Sequence, residues 1–224
     1  MRPSFSIFSN PLLLHNKAVR ARKSKEKLKM ASSSDTISPS NSETGAKIRF
    51  CKLPERYVSA AASVEIASYP ADEAASFEKL VERQRDAGDF FWGLFVHAGT
   101  DGNSISSAAH ISLMRGESKA LLPDEELVGF VCGTLSTSPE LTDESMSTHE
   151  PEGRLLCIHS VVIHQNFRRR KLAQKMLDLY TAACFESGDV DRMSLICKEL
   201  LIDLYAGAGF ELIGESKIVH GQDP

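Results

Sequence analysis

Residues Leu155 to Gln174, LLCIHSVVIHQNFRRRKLAQ, constrain the fold more than any other stretch of this chain. An apolar run (Leu155, Leu156, Ile158, Val161, Val162, Ile163) reads as a buried strand carrying one histidine, His159. It breaks at His164-Gln165-Asn166 and re-enters a helical pattern through Phe167-Arg168-Arg169-Arg170-Lys171-Leu172-Ala173. A strand feeding a basic turn that opens a helix is suited to a pyrophosphate. The first helical N–H groups lack intrahelical partners, and the helix dipole adds partial positive charge there. Taken alone, a basic run at a helix start is more often a solvated face, so the surrounding sequence has to decide.

The rest of the chain bounds the architecture. Its 224 residues allow one domain with a full core, preceded by a tail. Residues 31–46 are rich in Ser, Thr and Pro and lack an apolar period, so residues 1–46 are expected to be a disordered basic and Ser-rich segment. Deleting residues 1–45 should leave the stability and activity of the domain at 47–224 close to intact. Ile48, Phe50 and Leu53 alternate as a first strand, and Val58 to Ala67 read as a helix with Val58, Ala61, Ala62 and Ile66 on one face. Asp72 is a candidate N-cap for a helix from Glu73 to about Ala87. Phe90 to His97 and Leu127 to Leu135 read as paired strands around an inserted loop, and Thr142-x-x-Ser145 as a weak helix start. Arg154 to Ile163 is the central strand and Arg168 to Ser187 the best-defined helix. Met193 to Cys197, Leu200 to Ala208 and Glu211 to Val219 follow as strand, helix and strand. This order predicts an α/β (α+β) domain, a mixed central sheet flanked by helices on both faces.

Charge narrows the partners. The chain carries 26 Lys and Arg against 30 Asp and Glu, a net −4, which gives no basic footprint for nucleic acid. The first 29 residues hold eight basic residues against Glu26 alone, so the remainder is distinctly acidic and suits a small cationic substrate. The basic start fits an organellar transit peptide, for plastid or mitochondrion, or an upstream extension before a second start at Met30. Otherwise a cytoplasmic protein is expected: the five cysteines are scattered without a C-x-x-C pair, and no apolar run approaches the length of a membrane span. Neither a metal site nor a membrane is implied.

Acyl transfer from a thioester to an amine is the chemistry these residues permit. An alkylamine with a pKa of about 10.4 is free base in roughly one molecule in two thousand at neutral pH. That costs about 4.5 kcal/mol unless a positioned base removes the proton. His159 has the intrinsic pKa for that task, although a packed core histidine is the plainer reading. Tyr205, before Gly207-Ala208-Gly209-Phe210, can donate its phenol proton to a departing thiolate, or be an aromatic core plug. Backbone N–H groups near Val161 and Val162 would supply an oxyanion donor if the strand is bulged there.

Two stretches carry a family resemblance. Arg168-x-x-Lys171-x-Ala173 resembles motif A of the GNAT acetyltransferases, Arg/Gln-x-x-Gly-x-Gly/Ala, with Lys171 at the first glycine. From about residue 58 onward the chain resembles the arylalkylamine (serotonin) N-acetyltransferase branch of that superfamily. The more diagnostic stretch is Leu141-Thr142-Asp143-Glu144-Ser145-Met146-Ser147-Thr148-His149-Glu150-Pro151-Glu152-Gly153, similar to the branch's LTxESLxxHxPxG.

The resemblance implies a GNAT-type fold and direct acetyl transfer from acetyl-CoA, without a metal, to a small arylalkylamine such as serotonin or tryptamine, or to a polyamine. It implies a monomer whose partner is that small molecule. His159 falls on the second of two family histidines, the general base, and Tyr205 on the general acid. Val161, Val162 and Ile163 fall on the strand that contacts the acetyl-pantetheine arm. Arg168, Arg169, Arg170, Lys171, Leu172, Ala173 and Gln174 fall on the pyrophosphate loop, and Val161 and Ile196 on the amine pocket.

Cys157 stands where the family has its first histidine, most simply as a small apolar residue. The family also continues into one more strand after the position of Pro224, so the sheet is expected to lack its final strand. The competing readings are a GNAT acting on protein N-termini or lysines, and a degenerate CoA-binding module without activity.

Overall fold

A computed structural model describes residues 16–22, 47–114, 124–216 and 218. Eight strands form one mixed sheet: β1 (Asn16–Arg22), β2 (Ile48–Lys52), β3 (Phe91–His97), β4 (Ile111–Met114), β5 (Glu125–Ser136), β6 (Leu155–Ile163), β7 (Arg192–Lys198) and β8 (Glu211–Glu215). Their spatial order is β4-β2-β3-β5-β6-β7-β1-β8. The α-helices are α1 (Val58–Ile66), α2 (Phe77–Ala87), α3 (Leu172–Ser187) and α4 (Ile202–Gly207). Alternation along the strands divides the core in two. Leu53, Phe95, Phe130 and Val162 pack with α1 and α2 on one face, while Phe50, Val131 and Ile158 meet Met176, Leu177 and Tyr180 of α3 on the other. The expected α/β architecture with helices on both faces is therefore present.

The N-terminal segment overturns an expectation. Residues 16–22, assigned to a disordered tail, form β1 and lie between β7 and β8, antiparallel to both. All seven residues of β1 pair with β7, whereas β6 pairs with β7 only from Leu155–Cys157 to Arg192–Ser194. Val19 and Ala21, two residues apart, are buried on one face of the strand, and Lys17 forms a cross-strand ion pair with Glu215 at 3.3 Å. Where the sheet is expected to lack a strand, β1 supplies one between β7 and β8. Composition does not reveal it, because a strand this short needs only two buried side chains once two partners satisfy its backbone. The expected disorder, transit peptide and second start at Met30 otherwise fall on residues 1–15 and 23–46, outside the described residues.

Smaller corrections follow local chemistry. Helix α2 begins at Phe77, not Glu73: Ser76 caps it by accepting from the Lys79 N–H at 3.2 Å. Residues 71–73 instead form a turn. Within the stretch read as an inserted loop, Ile111–Met114 is an edge strand parallel to β2; residues 115–123 lie outside the described part. The helix start at Thr142 is a closed turn, in which the Ser145 N–H donates to Thr142 Oγ1 at 3.1 Å and the Thr142 N–H to Ser145 Oγ at 2.7 Å. In α1, Ile66 is 66% exposed while Glu65 is 1% exposed, the reverse of the expected face.

Candidate active site

Three features of the sheet build the site. The first is the splay between β6 and β7. Their pairing stops at Cys157 and Ser194, so β6 from Ile158 to Ile163 has no strand partner on that side among the described residues. A strand edge with unsatisfied backbone groups is a place for an extended ligand.

The second is a bulge in β6. Cys132 pairs with Ser160 and Gly133 with Ile158, leaving His159 as the extra residue. A bulge re-aims side chains that would otherwise alternate, and here His159 and Ser160 both line one cavity of about 490 Å³. The bulge anticipated at Val161 and Val162 therefore lies at His159 instead; Val161 and Val162 stay in register with Val131 and Phe130.

The third is the turn between β6 and α3. Arg169 (φ 65°) and Lys171 (φ 57°) are the two non-glycine residues with positive φ among those described, and Lys171 caps α3 in the left-handed conformation. Left-handed residues next to a helix start turn successive N–H groups into a shared concavity, an anion-binding arrangement. This explains why motif A favours glycine where Lys171 stands: an L side chain pays a steric cost there. The Arg168 Nε donates to the Ile163 carbonyl at 2.8 Å, and the Arg170 guanidinium donates to the Arg168 carbonyl and Asn103 Oδ1, both at 2.6 Å. Two arginines are thus used to hold the turn. The neighbouring loop approaches so closely that a Cβ on Gly102 would meet the Asn166 carbonyl oxygen at 2.0 Å.

The structure brings His159, Tyr205 and Ile196 to the same cavity. Tyr205 is buried, and burial pushes its phenol well above the ordinary tyrosine range, so the hydroxyl is a donor at neutral pH. Thr134 Oγ1 lies 2.8 Å from His159 Nε2. Val161, expected in the amine pocket, does not line this cavity: its side chain packs against the core, and its carbonyl accepts from the hydroxyl of the wall residue Tyr69 at 3.5 Å. Val162 and Ile163 bury their side chains in the two opposite cores, so only their backbone can face a ligand. Arg168, Arg169 and Arg170 line a separate concavity beyond the end of β6, and Leu172 is a core residue. Ala173 packs partly against that core, and Gln174 contacts α4, where a Cβ on Gly207 would meet its Oε1 at 2.6 Å. Cys157 is fully buried, and burial raises its thiol to about 11, so it is packing and not a base at neutral pH.

Sequence reasoning missed Glu65, Ser160, Tyr69 and Met146, all on the cavity wall. Glu65 carried a usable signal: it follows Val58, Ala61 and Ala62 at i+7, which places a carboxylate on the apolar face of α1. Its Oε1 accepts from the Ser160 hydroxyl at 3.0 Å and the Ala75 N–H at 3.1 Å. Burial raises its pKa, opposed by those two bonds and by the nearby Arg83 charge. Met146 is held in the wall by the segment 141–153, which is strapped to the end of β5. The Leu135 N–H donates to His149 Nδ1 at 3.1 Å, and Glu150 accepts from the Ser136 hydroxyl, the Thr137 N–H and the Thr137 hydroxyl at 2.7–2.9 Å. A Cβ on Gly153 would collide with Ser136 backbone at 2.4 Å, which accounts for a glycine there.

Residues 102–210, just under half of the chain, match the Acetyltransferase (GNAT) family model. The chain is 30% identical over 95 residues to the serotonin N-acetyltransferase of Mesocricetus auratus, covering 42% of this chain and 46% of the relative. It is 27% identical to that of Homo sapiens over 95 residues, with the same shares. The match thus spans just under half the length of these curated relatives. Among solved structures, a GCN5-related N-acetyltransferase from Sphaerobacter thermophilus aligns over 89% of this chain and 48% of that chain, at 13% identity and a TM-score of 0.48. Among the described residues no helix is long and apolar enough to cross a membrane.

Proposed function

We propose that this GNAT fold transfers an acetyl group from acetyl-CoA to the primary amine of a small arylalkylamine by direct attack in a ternary complex. The observation that carries the reading is the convergence of His159 and Tyr205 on one cavity at the β6–β7 splay. The relatives' names favour an arylalkylamine acceptor.

The residues present fit acetyl-CoA. The left-handed pair Arg169 and Lys171 shapes a concavity of N–H donors at the start of α3, and the unpartnered edge of β6 leads from it toward His159. Arg168 to Gln174 would hold the pyrophosphate, and the backbone of Val161 to Ile163 the arm. When bound, the thioester supplies the acyl group and a thiol leaving group.

His159 takes the ammonium proton, directly or through a water, converting the abundant cation into the nucleophile. Thr134 holds the imidazole at Nε2 and so orients it. Tyr205 keeps its proton until the sulfur departs, because burial makes the phenolate costly before then. Met146, Tyr69 and Ile196 wall the cavity and exclude water from the reacting groups. Lys171 does not undo motif A, since it adopts the left-handed conformation the glycine would take.

An acceptor screen monitored by free CoA tests the reading. Thiol release with tryptamine or serotonin, and little with peptide N-termini or lysine peptides, is the expected result. Release only with peptides would replace the arylalkylamine assignment by a protein acetyltransferase one.

A further inference from the structure

Glu65 projects from α1 into the cavity that holds His159 and Tyr205, and only half of its carboxylate is satisfied. Oε1 is anchored by the Ser160 hydroxyl and the Ala75 N–H, at 3.0 and 3.1 Å. Oε2 is buried and has no hydrogen-bond partner. A buried carboxylate oxygen without a donor is costly, and such groups persist where a ligand or a structural partner completes them.

We propose that Glu65 is the seat of the substrate's ammonium group, and that it restricts the pocket to amines bearing a single positive charge on an apolar body. This deepens the reading of the cavity as an amine acetylation site and rests on it. The two donors on Oε1 fix the carboxylate plane and leave Oε2 as the oxygen without a donor, in a residue that lines the cavity. A primary ammonium supplies the missing donor there, and its charge is matched at short range in a desolvated site. Ser160 follows His159 in the bulge of β6, so the same local distortion places the anchored carboxylate and the imidazole on one wall.

The other charges of the cavity explain the limit to one. Glu73 is already neutralised by Lys198 at 2.7 Å. Lys79, paired with Glu82 at 3.0 Å, and Arg83, whose charge acts on Glu65, line the same wall, and Arg83 would repel a second ammonium. The remaining wall offers Tyr69, Pro70, Met146, Ile196 and Leu201 to an apolar body. The exposed Asp72 also lines the cavity, so a polyamine's further charges would have to reach that residue past Arg83, whereas an aromatic or aliphatic monoamine needs only Glu65 and the apolar wall.

The test compares tryptamine with its neutral hydroxyl analogue, indole-3-ethanol, by calorimetry on the full chain and on Glu65→Gln. The wild-type protein should prefer tryptamine. Glu65→Gln should weaken tryptamine roughly 10- to 100-fold, the size of a lost charge-assisted bond, while indole-3-ethanol binds as before. Spermidine should bind the wild type more weakly than tryptamine does. Folding is checked on the same variant. Because burial holds the Glu65 pKa above its unfolded value, that carboxylate detracts from stability as pH rises. Glu65→Gln should therefore melt at or above the wild-type temperature at pH 8. Ser160→Ala, which frees the anchored oxygen without removing charge, should weaken tryptamine only a few-fold.

Equal loss of both ligands in Glu65→Gln overturns the ammonium seat and leaves amine acetylation standing, as does unchanged tryptamine affinity. A wild-type protein that acetylates no amine, yet prefers tryptamine through Glu65, overturns the enzymatic reading and leaves the seat in place.

Discussion

Thr134 Oγ1 and His159 Nε2 lie 2.8 Å apart, joining the bulged residue of β6 to the side chain of the neighbouring strand β5. The contact fixes one imidazole nitrogen and so decides which way the ring presents the other. A histidine serving only as core packing would not need a bulge to bring it to a cavity wall.

If His159 accepts the amine proton, His159→Gln should lower turnover about 10²- to 10⁴-fold near neutral pH, the usual worth of a positioned base. The loss should shrink at high pH, where free amine becomes abundant. Thr134→Val keeps the volume but removes the bond, and should give a smaller loss with a displaced acid limb. A pH–rate profile of both variants decides it; equal losses at every pH would make His159 structural.

Strand β1 yields the prediction that most changes the reading of this chain. Deleting residues 1–29 removes a strand paired to β7 along all seven of its residues and to β8 at four positions. Near one end of the sheet, β7 would become an open edge and β8 would lose its strand partner, next to the wall that carries Ile196. The truncated protein should lose most of its melting transition or aggregate. Val19→Asp, at a position 2% exposed, should do much of the same with the full chain. Thermal unfolding of both checks it. Full stability in both would show that β1 contributes little.

How far the sequence could be read depended on range. Strands β2, β3, β5, β6 and β7 were legible because each carries an apolar period that is complete within itself. Helix α3 was legible from Leu172, Met176, Leu177 and Tyr180, spaced as one face. What stayed hidden was non-local. Asn16–Arg22 becomes a strand only because β7 and β8 leave a position between them, a fact written almost 200 residues away. His159 and Tyr205 are legible as a base and a donor from their chemistry, and the family resemblance pairs them, whereas Glu65 shows only as a charge on an apolar helix face.

Lys171 holds φ at 57°, a conformation that costs an L side chain about 1 kcal/mol or somewhat more. Lys171→Gly should relieve that cost, raising the urea midpoint by the equivalent of roughly 0.5–1 kcal/mol after the glycine's greater unfolded entropy is deducted. CoA affinity should be retained, since the N–H donors stay in place.

Glu150 supplies a pH dependence with a definite sign. The Ser136 hydroxyl, the Thr137 N–H and the Thr137 hydroxyl hold its carboxyl below the ordinary glutamate range. Its stabilising contribution is therefore present above the unfolded pKa of about 4.3 and is lost as pH falls through the lower folded value. Glu150→Gln should melt below the wild type at pH 7 and match it under acid conditions. Melting curves across pH 3–8 would show a constant gap if the carboxyl's charge were irrelevant.

Tyr205 tests the other end of the proton path. Burial keeps its phenol protonated, and the ring packs edge-on against Phe210 at 5.8 Å between centroids, so removing the hydroxyl should leave the packing intact. Tyr205→Phe should lower turnover while acetyl-CoA binding, measured by calorimetry, stays within about twofold, because the proton is needed only as the thiolate departs. With acceptors whose attack is already slow the loss should shrink, because departure no longer limits turnover, and with fast acceptors it should not recover at high pH as in His159→Gln. That contrast separates an acid from a base in one cavity. A Tyr205→Phe enzyme with unchanged turnover would pass the role to another donor on the wall, and Tyr69, whose hydroxyl meets the Val161 carbonyl at 3.5 Å, is the phenol placed to take it.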